Sequence, residues 1–489
     1  MSLSFTTRDL EAARRICRWV ALGLLAVVLF SMTGCATYTA RFADLKPEVV
    51  AGKYDEALAT VEKESGDKDR LLYFLERGLI LHYADRYGES NEAFAAAERT
   101  ADDLYTKSIS EGALSLISND LAISYRGRPF ELAMVPYYKA FNYIYLGDRD
   151  AAQVEARRAS LMLSDYIDAT LQGVREEDRD QLERIRNNAF LLYFSGLMYD
   201  WDGEINDAFI AYRNAANAYQ QNHGILGVDV PAQLASDLIR TGARLGFNDE
   251  VEQLKVACPD VFAGLSEESA GSWPVGHGQV VLFLETGFVA YKTQLRFDFP
   301  VFNGEAYDDP DYWSWELYAG MGNMQALAKG RKVEYWVSVA APELQDQPGN
   351  IGRARVSAGG LKDKAVTRTV AGLSREARIT FDAEKPTIFF KTILRGLTKY
   401  LASRGAGKAG GDLGKLAMTL FGAVTETADT RSWLTLPDNI HLTRLTLPAG
   451  VYDLQVELLD RQGRSAGEFT VPGVEVRAGD FTFLNRRAF

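Results

Sequence analysis

Tyr54 and Tyr87 sit in closely related phrases, Gly52-Lys53-Tyr54-Asp55-Glu56-Ala57 and Asp85-Arg86-Tyr87-Gly88-Glu89-Ser90, with 33 residues from one tyrosine to the next. A unit that returns at such an interval cannot bury its apolar face alone and must stack on its neighbours, which constrains this part of the chain to a helical array. The phase persists beyond the turn. Gly78, Phe94 and Ala97 occupy the small and knob positions of one unit, and Ala140, Gly147, Ala152, Ala156 and Ala159 repeat them. Gly196, Tyr199, Gly203, Ala208, Tyr212 and Ala215 supply a third copy. Short side chains there let the two helices of a hairpin approach closely, while the aromatic fills the gap toward the next hairpin.

From about Leu45 to Leu265 the chain is rich in Ala, Leu, Tyr, Glu and Arg, nearly free of Pro, and apolar with helical spacing. Weaker helix pairs are expected around Leu45 to Glu64 and Leu234 to Val256. Gly147 and Gly203 stand further apart than one repeat, so Ser164 to Asp180, with its charged tract Arg175 to Asp180, reads as an insertion or a helix extension. The pattern resembles the tetratricopeptide superfamily. That resemblance implies that the first helix of each pair lines a concave face. Tyr83, Tyr137, Phe141, Tyr145, Phe190, Tyr193 and Trp201 then form a candidate groove for a partner protein.

The period changes after Pro259 to Pro274, a stretch rich in Gly, Ser and Pro. Gln279 to Glu285, Val333 to Val339, Arg375 to Phe381, Leu442 to Leu447 and Tyr452 to Leu459 read as strands, with turns at Pro448-Ala449-Gly450 and Arg461 to Arg464. Short strands without a βαβ rhythm predict a β-sandwich. A helical hairpin is expected to interrupt it at about 386–424, its first helix carrying a basic stripe of Lys391, Arg395 and Lys399. Gly407-Lys408 and Gly414-Lys415 do not form phosphate loops, because the preceding Gly and the following Ser or Thr are missing.

Ahead of all this, Arg8, Arg14, Arg15 and Arg18 precede a short apolar run ending in Met32-Thr33-Gly34-Cys35. The run is too short to span a bilayer core, and its flanks fit a cleaved secretory signal. Its exit resembles the lipobox of bacterial lipoproteins, which implies acylation of Cys35; the Ala36 that follows implies outer-membrane sorting. The expected division is therefore a signal over 1–34, a tether over 35–44, a repeat domain over 45–262, a linker over 263–275 and a β-domain over 276–489, an α + β multidomain chain.

Four of the 54 Lys and Arg and two of the 66 Asp and Glu fall within residues 1–34, so loss of that segment moves the formal charge from −12 to −14. Such acidity argues against nucleic acid as a partner. Cys258 is the one thiol left after processing, which excludes an internal disulfide and points to a small buried hydrophobe. The four His, at 82, 223, 277 and 441, lie at no short ligand spacing, so no metal and no cofactor are expected. Asp308, Asp309 and Asp311 around Pro310 read as a solvated loop, and Tyr312, Trp313, Trp315 and Tyr318 as strand-edge packing. Asp429, Arg431 and Trp433 are the most site-like trio, a candidate β-domain contact. The simpler account of them is that Asp429 and Arg431 satisfy backbone groups at a strand entry while Trp433 fills the sandwich core.

Several phrases resemble one another's setting in a single family. These are Tyr125 to Glu131, Val154 to Arg158, Gly276-His277-Gly278, Glu285-Thr286-Gly287, Ala428 to Trp433 and Leu436-Pro437. Together they resemble the marks of tetratricopeptide-containing lipoproteins of Gram-negative bacteria, a family of largely unassigned function. The resemblance implies a lipid-anchored periplasmic adaptor that binds envelope proteins, other lipoproteins among them, at the outer membrane. It supplies no catalytic residues, and no enzyme is expected. The alternative is a cell-wall enzyme or glycan binder acting through the β-domain.

Overall fold

The computed structural model describes residues 37–111, 121, 123–172, 174, 176, 179–263, 265, 273–302, 333–359, 364–396 and 427–489. Cys35, Lys399, the acidic and aromatic loop near 308–318 and the second helix expected over 413–424 lie outside them. Thirteen described helices come before the first strand. They are α1 (Tyr38–Arg41), α2 (Leu45–Val50), α3 (Tyr54–Glu64), α4 (Arg70–Tyr83), α5 (Tyr87–Glu111), α6 (Pro129–Leu146), α7 (Arg149–Leu171), α8 (Arg179–Ile185), α9 (Ala189–Asp202), α10 (Ile205–Leu226), α11 (Leu234–Leu245), α12 (Asn248–Ala257) and α13 (Pro259–Phe262).

The long helices fold back on one another across short turns, and the turns have a shared chemistry. Gly147, Gly203 and Gly246 each follow a helix with φ of 77°, 84° and 78°, a left-handed conformation that ends the helix and turns the chain. The turn between α4 and α5 uses Asp85 in the same region, at φ 59°. Within the hairpins, Gly78 lies under the Phe94 ring and Gly196 under the Tyr212 ring. A Cβ on either glycine would come within 2.6 Å and 2.5 Å of that ring. The small residues are therefore what sets the approach of α4 to α5 and of α9 to α10.

Strands follow in the order β1 (His277–Thr286), β2 (Tyr291–Phe302), β3 (Val333–Gln345), β4 (Ile351–Ala358), β5 (Lys364–Val366), β6 (Arg368–Gly372), β7 (Asn439–Pro448), β8 (Gly450–Asp460), β9 (Ser465–Val476) and β10 (Phe481–Ala488). One sheet has the order β10-β1-β7-β6, a second β5-β4-β8-β9, and β2 pairs with β3 alone. β1 meets β10 in parallel and β7 antiparallel. Val280, Leu282 and Leu284 face an apolar core shared with Ala354 and Val356 of β4 and Leu454 and Val456 of β8. Val281 and Phe283, on the opposite face, join the helical core. Burial on both faces is why β1 reads as a continuous apolar run rather than an alternating one.

These contacts correct the expected division into separately folding domains. One continuous core runs from Tyr38 through the helices to Phe483. The first sheet is thus a middle layer, with helices on one side and the second sheet on the other. The expected tether is also part of the body: Tyr38 and Phe42, one helical turn apart, are both buried, and the Thr39 hydroxyl donates to the Lys292 carbonyl at 2.9 Å. At the expected linker, Trp273 packs edge-on against Phe481.

A further correction concerns Arg375 to Phe381, expected as a strand. Residues 373–396 form one helix, α14. The alternation of Ala377, Ile379 and Phe381 suggested a strand, but Ala377 and Phe381 are also spaced for a helix face, and both are buried. Pro386 suggested a helix start, a position Pro favours. The helix runs through it instead.

Candidate functional site

Every aromatic of the expected partner groove faces the chain's own first sheet. The Tyr83 hydroxyl donates to Glu285 of β1 at 2.5 Å. The Asn485 amide of β10 donates to the Tyr137 hydroxyl at 3.0 Å, and the Asn485 backbone N–H to the Tyr145 hydroxyl at 2.7 Å. Phe141 and Phe190 pack edge-on to Phe283 at 5.3 and 6.2 Å. Arg444 of β7 donates to the Tyr193 hydroxyl at 3.3 Å, and Trp201 meets Phe483 at 5.3 Å. The periodicity selected the correct helix face, but its occupant is intramolecular. The groove is therefore corrected from a partner site to an internal interface, because the sheet buries these rings and bonds their hydroxyls through Glu285, Asn485 and Arg444.

The segment ahead of β7 packs on the same helices. Trp433 is fully buried beside Phe94 and Tyr138, at ring distances of 6.0 and 6.3 Å, so it fills the helix–sheet junction and not the sandwich core. Its backbone N–H donates to Glu131 at 2.8 Å, and that of Leu434 donates to Glu76 at 2.6 Å. Two carboxylates from the helices thereby receive consecutive backbone N–H groups of the segment where it enters a turn at 434–436.

Arg431 anchors the same segment. It pairs with Asp429 at 2.8 Å and donates to the carbonyls of Lys68 and Ile123 at 3.2 and 2.9 Å. Burial alone would raise the Asp429 carboxyl, but the Arg431 hydrogen bond and charge outweigh it and hold the group at about 2. Asp429 and Arg431 thus satisfy backbone and each other, as the simpler account expected, although across the helical half.

A cleft of about 530 Å³ opens beside this segment, between residues 123–129, β2 and α14. Lys292, Lys391 and Arg431 line it together with Tyr125, Arg128 and Asp429. Lys292 is only 5% exposed, and burial, with repulsion from Arg128, lowers its ammonium to about 8. Of the expected basic stripe, the two described members do not form an exposed row. Lys391 looks into the cleft from α14, while Arg395 is 7% exposed and bonds to the Thr392 hydroxyl at 3.3 Å. Both lie on one helix, but the side that carries Arg395 is covered.

Cys258 and His441 are both buried and hydrogen-bonded. Cys258 is buried, its thiol pushed up by burial, and donates to Asn217 at 3.4 Å. His441 lies between the hydroxyls of Thr286 and Thr369 at 2.9 and 3.0 Å, and burial lowers it to about 4, which keeps it neutral. Among the described residues no group of His, Cys, Asp and Glu gathers to hold a metal, and no helix is long and apolar enough to cross a membrane.

Sequence reasoning missed Lys292, Glu76, Glu131 and Glu285. Glu76 had a usable signal, since it falls one helical turn after Leu72 and one before Ile80, on the buried face of α4. Glu285 likewise continues the parity of Val281 and Phe283. A charge inside an apolar stripe marks a buried partner. Neither a scan against protein-family models nor searches of curated proteins and of solved structures found a match.

Proposed function

We propose that the chain is a lipid-anchored adaptor of a Gram-negative envelope, tethered to the outer membrane through Cys35, with a tetratricopeptide-like helical half. The observation that supports this reading best is the segment over 428–437, held by Glu76 and Glu131 along the helices. Superhelical repeats offer such a concave surface for binding chains. Here it locks the helices to the sheets, so contacts with other envelope proteins fall to the outer helices. On α7, Val154 and Leu161 lie seven residues apart on one face and are both more than half-open to solvent or nearly so, at 50% and 59% exposure.

Crosslinking of the intact lipoprotein in membranes tests the reading. The Val154→Glu, Leu161→Glu variant should keep its fold, since neither side chain is buried, and lose a crosslinked envelope partner that the parent retains. Capture unchanged in the variant would remove this face from the proposal. Cys35→Ser should release the protein from the outer-membrane fraction after a high-salt wash; a variant that still pellets there would overturn the anchor.

A further inference from the structure

We propose that the cleft between residues 123–129, β2 and α14 binds a small organic anion, with Lys292 as the counter-charge to its carboxylate or phosphoryl group and Lys391 as a second contact at the rim. This is independent of the adaptor reading, which uses other surfaces.

The Lys292 ammonium lies over the Tyr125 ring, 5.8 Å from its centroid, and has few polar partners. Lys292 Nζ donates to the Arg431 carbonyl at 2.9 Å, and among the described residues no carboxylate forms an ion pair with it. The neighbouring acids are already engaged. Asp429 pairs with Arg431, and Glu384 with Arg128. Glu131 receives the Tyr125 hydroxyl at 2.6 Å and the backbone N–H groups of Arg128 and Trp433, both at 2.8 Å. A buried charge left unpaired costs several kcal/mol, so chains retain one where something else neutralises it. With its ammonium held at about 8, Lys292 is still mostly charged at neutral pH.

A second observation points the same way. Lys391 enters this cleft from α14 and, among the described residues, also lacks a carboxylate partner. Two ammonium groups without a carboxylate partner thus converge on one cavity in a chain of net charge −12. The volume of about 530 Å³ falls in the range of roughly 300–1,000 Å³ typical of small-molecule sites. Tyr105, Pro342 and Ile388 add apolar wall, which suits a ligand with a carbon body rather than a bare ion.

Thermal unfolding and calorimetric titration of the purified protein with inorganic phosphate, citrate and glucose 6-phosphate test this, each against sodium chloride at matched ionic strength. At least one organic probe should raise Tm saturably and bind more tightly than inorganic phosphate. Binding should weaken as pH rises through about 8, because only the charged ammonium attracts the anion. Lys292→Met should abolish the response, and Lys391→Gln should weaken it about fivefold. If Lys292→Met does not fold, Lys391→Gln and the pH dependence decide. No saturable response to either organic probe, or parental affinity in the variants, would overturn the proposal. A response confined to inorganic phosphate would overturn the organic part of it.

Discussion

The carboxylate of Glu76 accepts the backbone N–H of Leu434 across 358 residues of sequence. Burial raises that carboxyl to about 7, while the Thr435 hydroxyl and the Leu434 N–H draw it back down. One helical side chain and one backbone group ahead of β7 thus add a buried hydrogen bond to the core that the two halves share. The expected consequence is a single cooperative unfolding transition for the whole protein. Residues 37–262 alone should retain helical circular dichroism but bind a hydrophobic dye and melt broadly, because Tyr137, Phe141 and Phe190 lose their cover. A sharp transition without dye binding in that fragment would show that the halves are independent.

Glu376 offers a pH test. Burial raises its carboxyl from 4.5 to about 7, and the Asn188 amide, which donates to it at 2.8 Å, only partly offsets this. The folded protein thus keeps a proton that the unfolded chain has released between those two values. Its contribution to stability is complete below pH 4.5 and is lost as pH rises through 7, a change of up to about 3 kcal/mol. His441, lowered from 6.5 to about 4, acts with the opposite sign in an overlapping window. The measurement is therefore the difference between the parent and Glu376→Gln by urea unfolding. The variant should gain relative stability from pH 4.5 to 7.5, and a flat difference would refute the assignment.

Removing Arg431 should damage folding before it damages any binding. Arg431→Ala leaves the Asp429 carboxylate without its ion-pair partner and the Ile123 carbonyl without its guanidinium donor, at a cost of about 3–5 kcal/mol. Trp433→Ala should cost a similar amount through the cavity it leaves. Chemical denaturation checks both, and variants within about 1 kcal/mol of the parent would place this segment on the surface. These substitutions therefore cannot separate chemistry from folding.

Gly196→Val should destabilise the α9–α10 hairpin by about 1–3 kcal/mol, since its Cβ would overlap the Tyr212 ring and force the helices apart. The double variant Gly196→Val, Tyr212→Leu should recover part of that loss. Equal stability of the single variant and the parent would show that close approach is not needed here. Thermal melts of the set decide between them.

The spacing of Gly78, Phe94, Gly196 and Tyr212 made the helix pairs legible, because a short side chain under a ring is a local requirement visible in one dimension. The strands of β1, β7 and β8 were legible for the same reason. What Tyr137 or Phe283 meets was not, since an apolar face looks the same whether a partner or the same chain covers it. Lys292 was hidden for a different reason. A lysine in a strand ordinarily points to solvent, and its burial depends on Thr39 and Arg431, which approach from opposite ends of the sequence.

The parallel pairing of β1 with β10 also sets a schedule for a chain made from its first residue onward. Asn485 meets Glu285 and Tyr137 across 200 and 348 residues, and β10 is the last of the strands to emerge. At about 5–20 residues per second, the 200 residues between Glu285 and Asn485 take roughly 10 to 40 s to synthesise. Through that interval the aromatic helix face lacks β10, the strand whose Asn485 bonds Tyr137 and Tyr145. Such a nascent chain is a natural client for holding chaperones, and its demand for them ends when β10 docks.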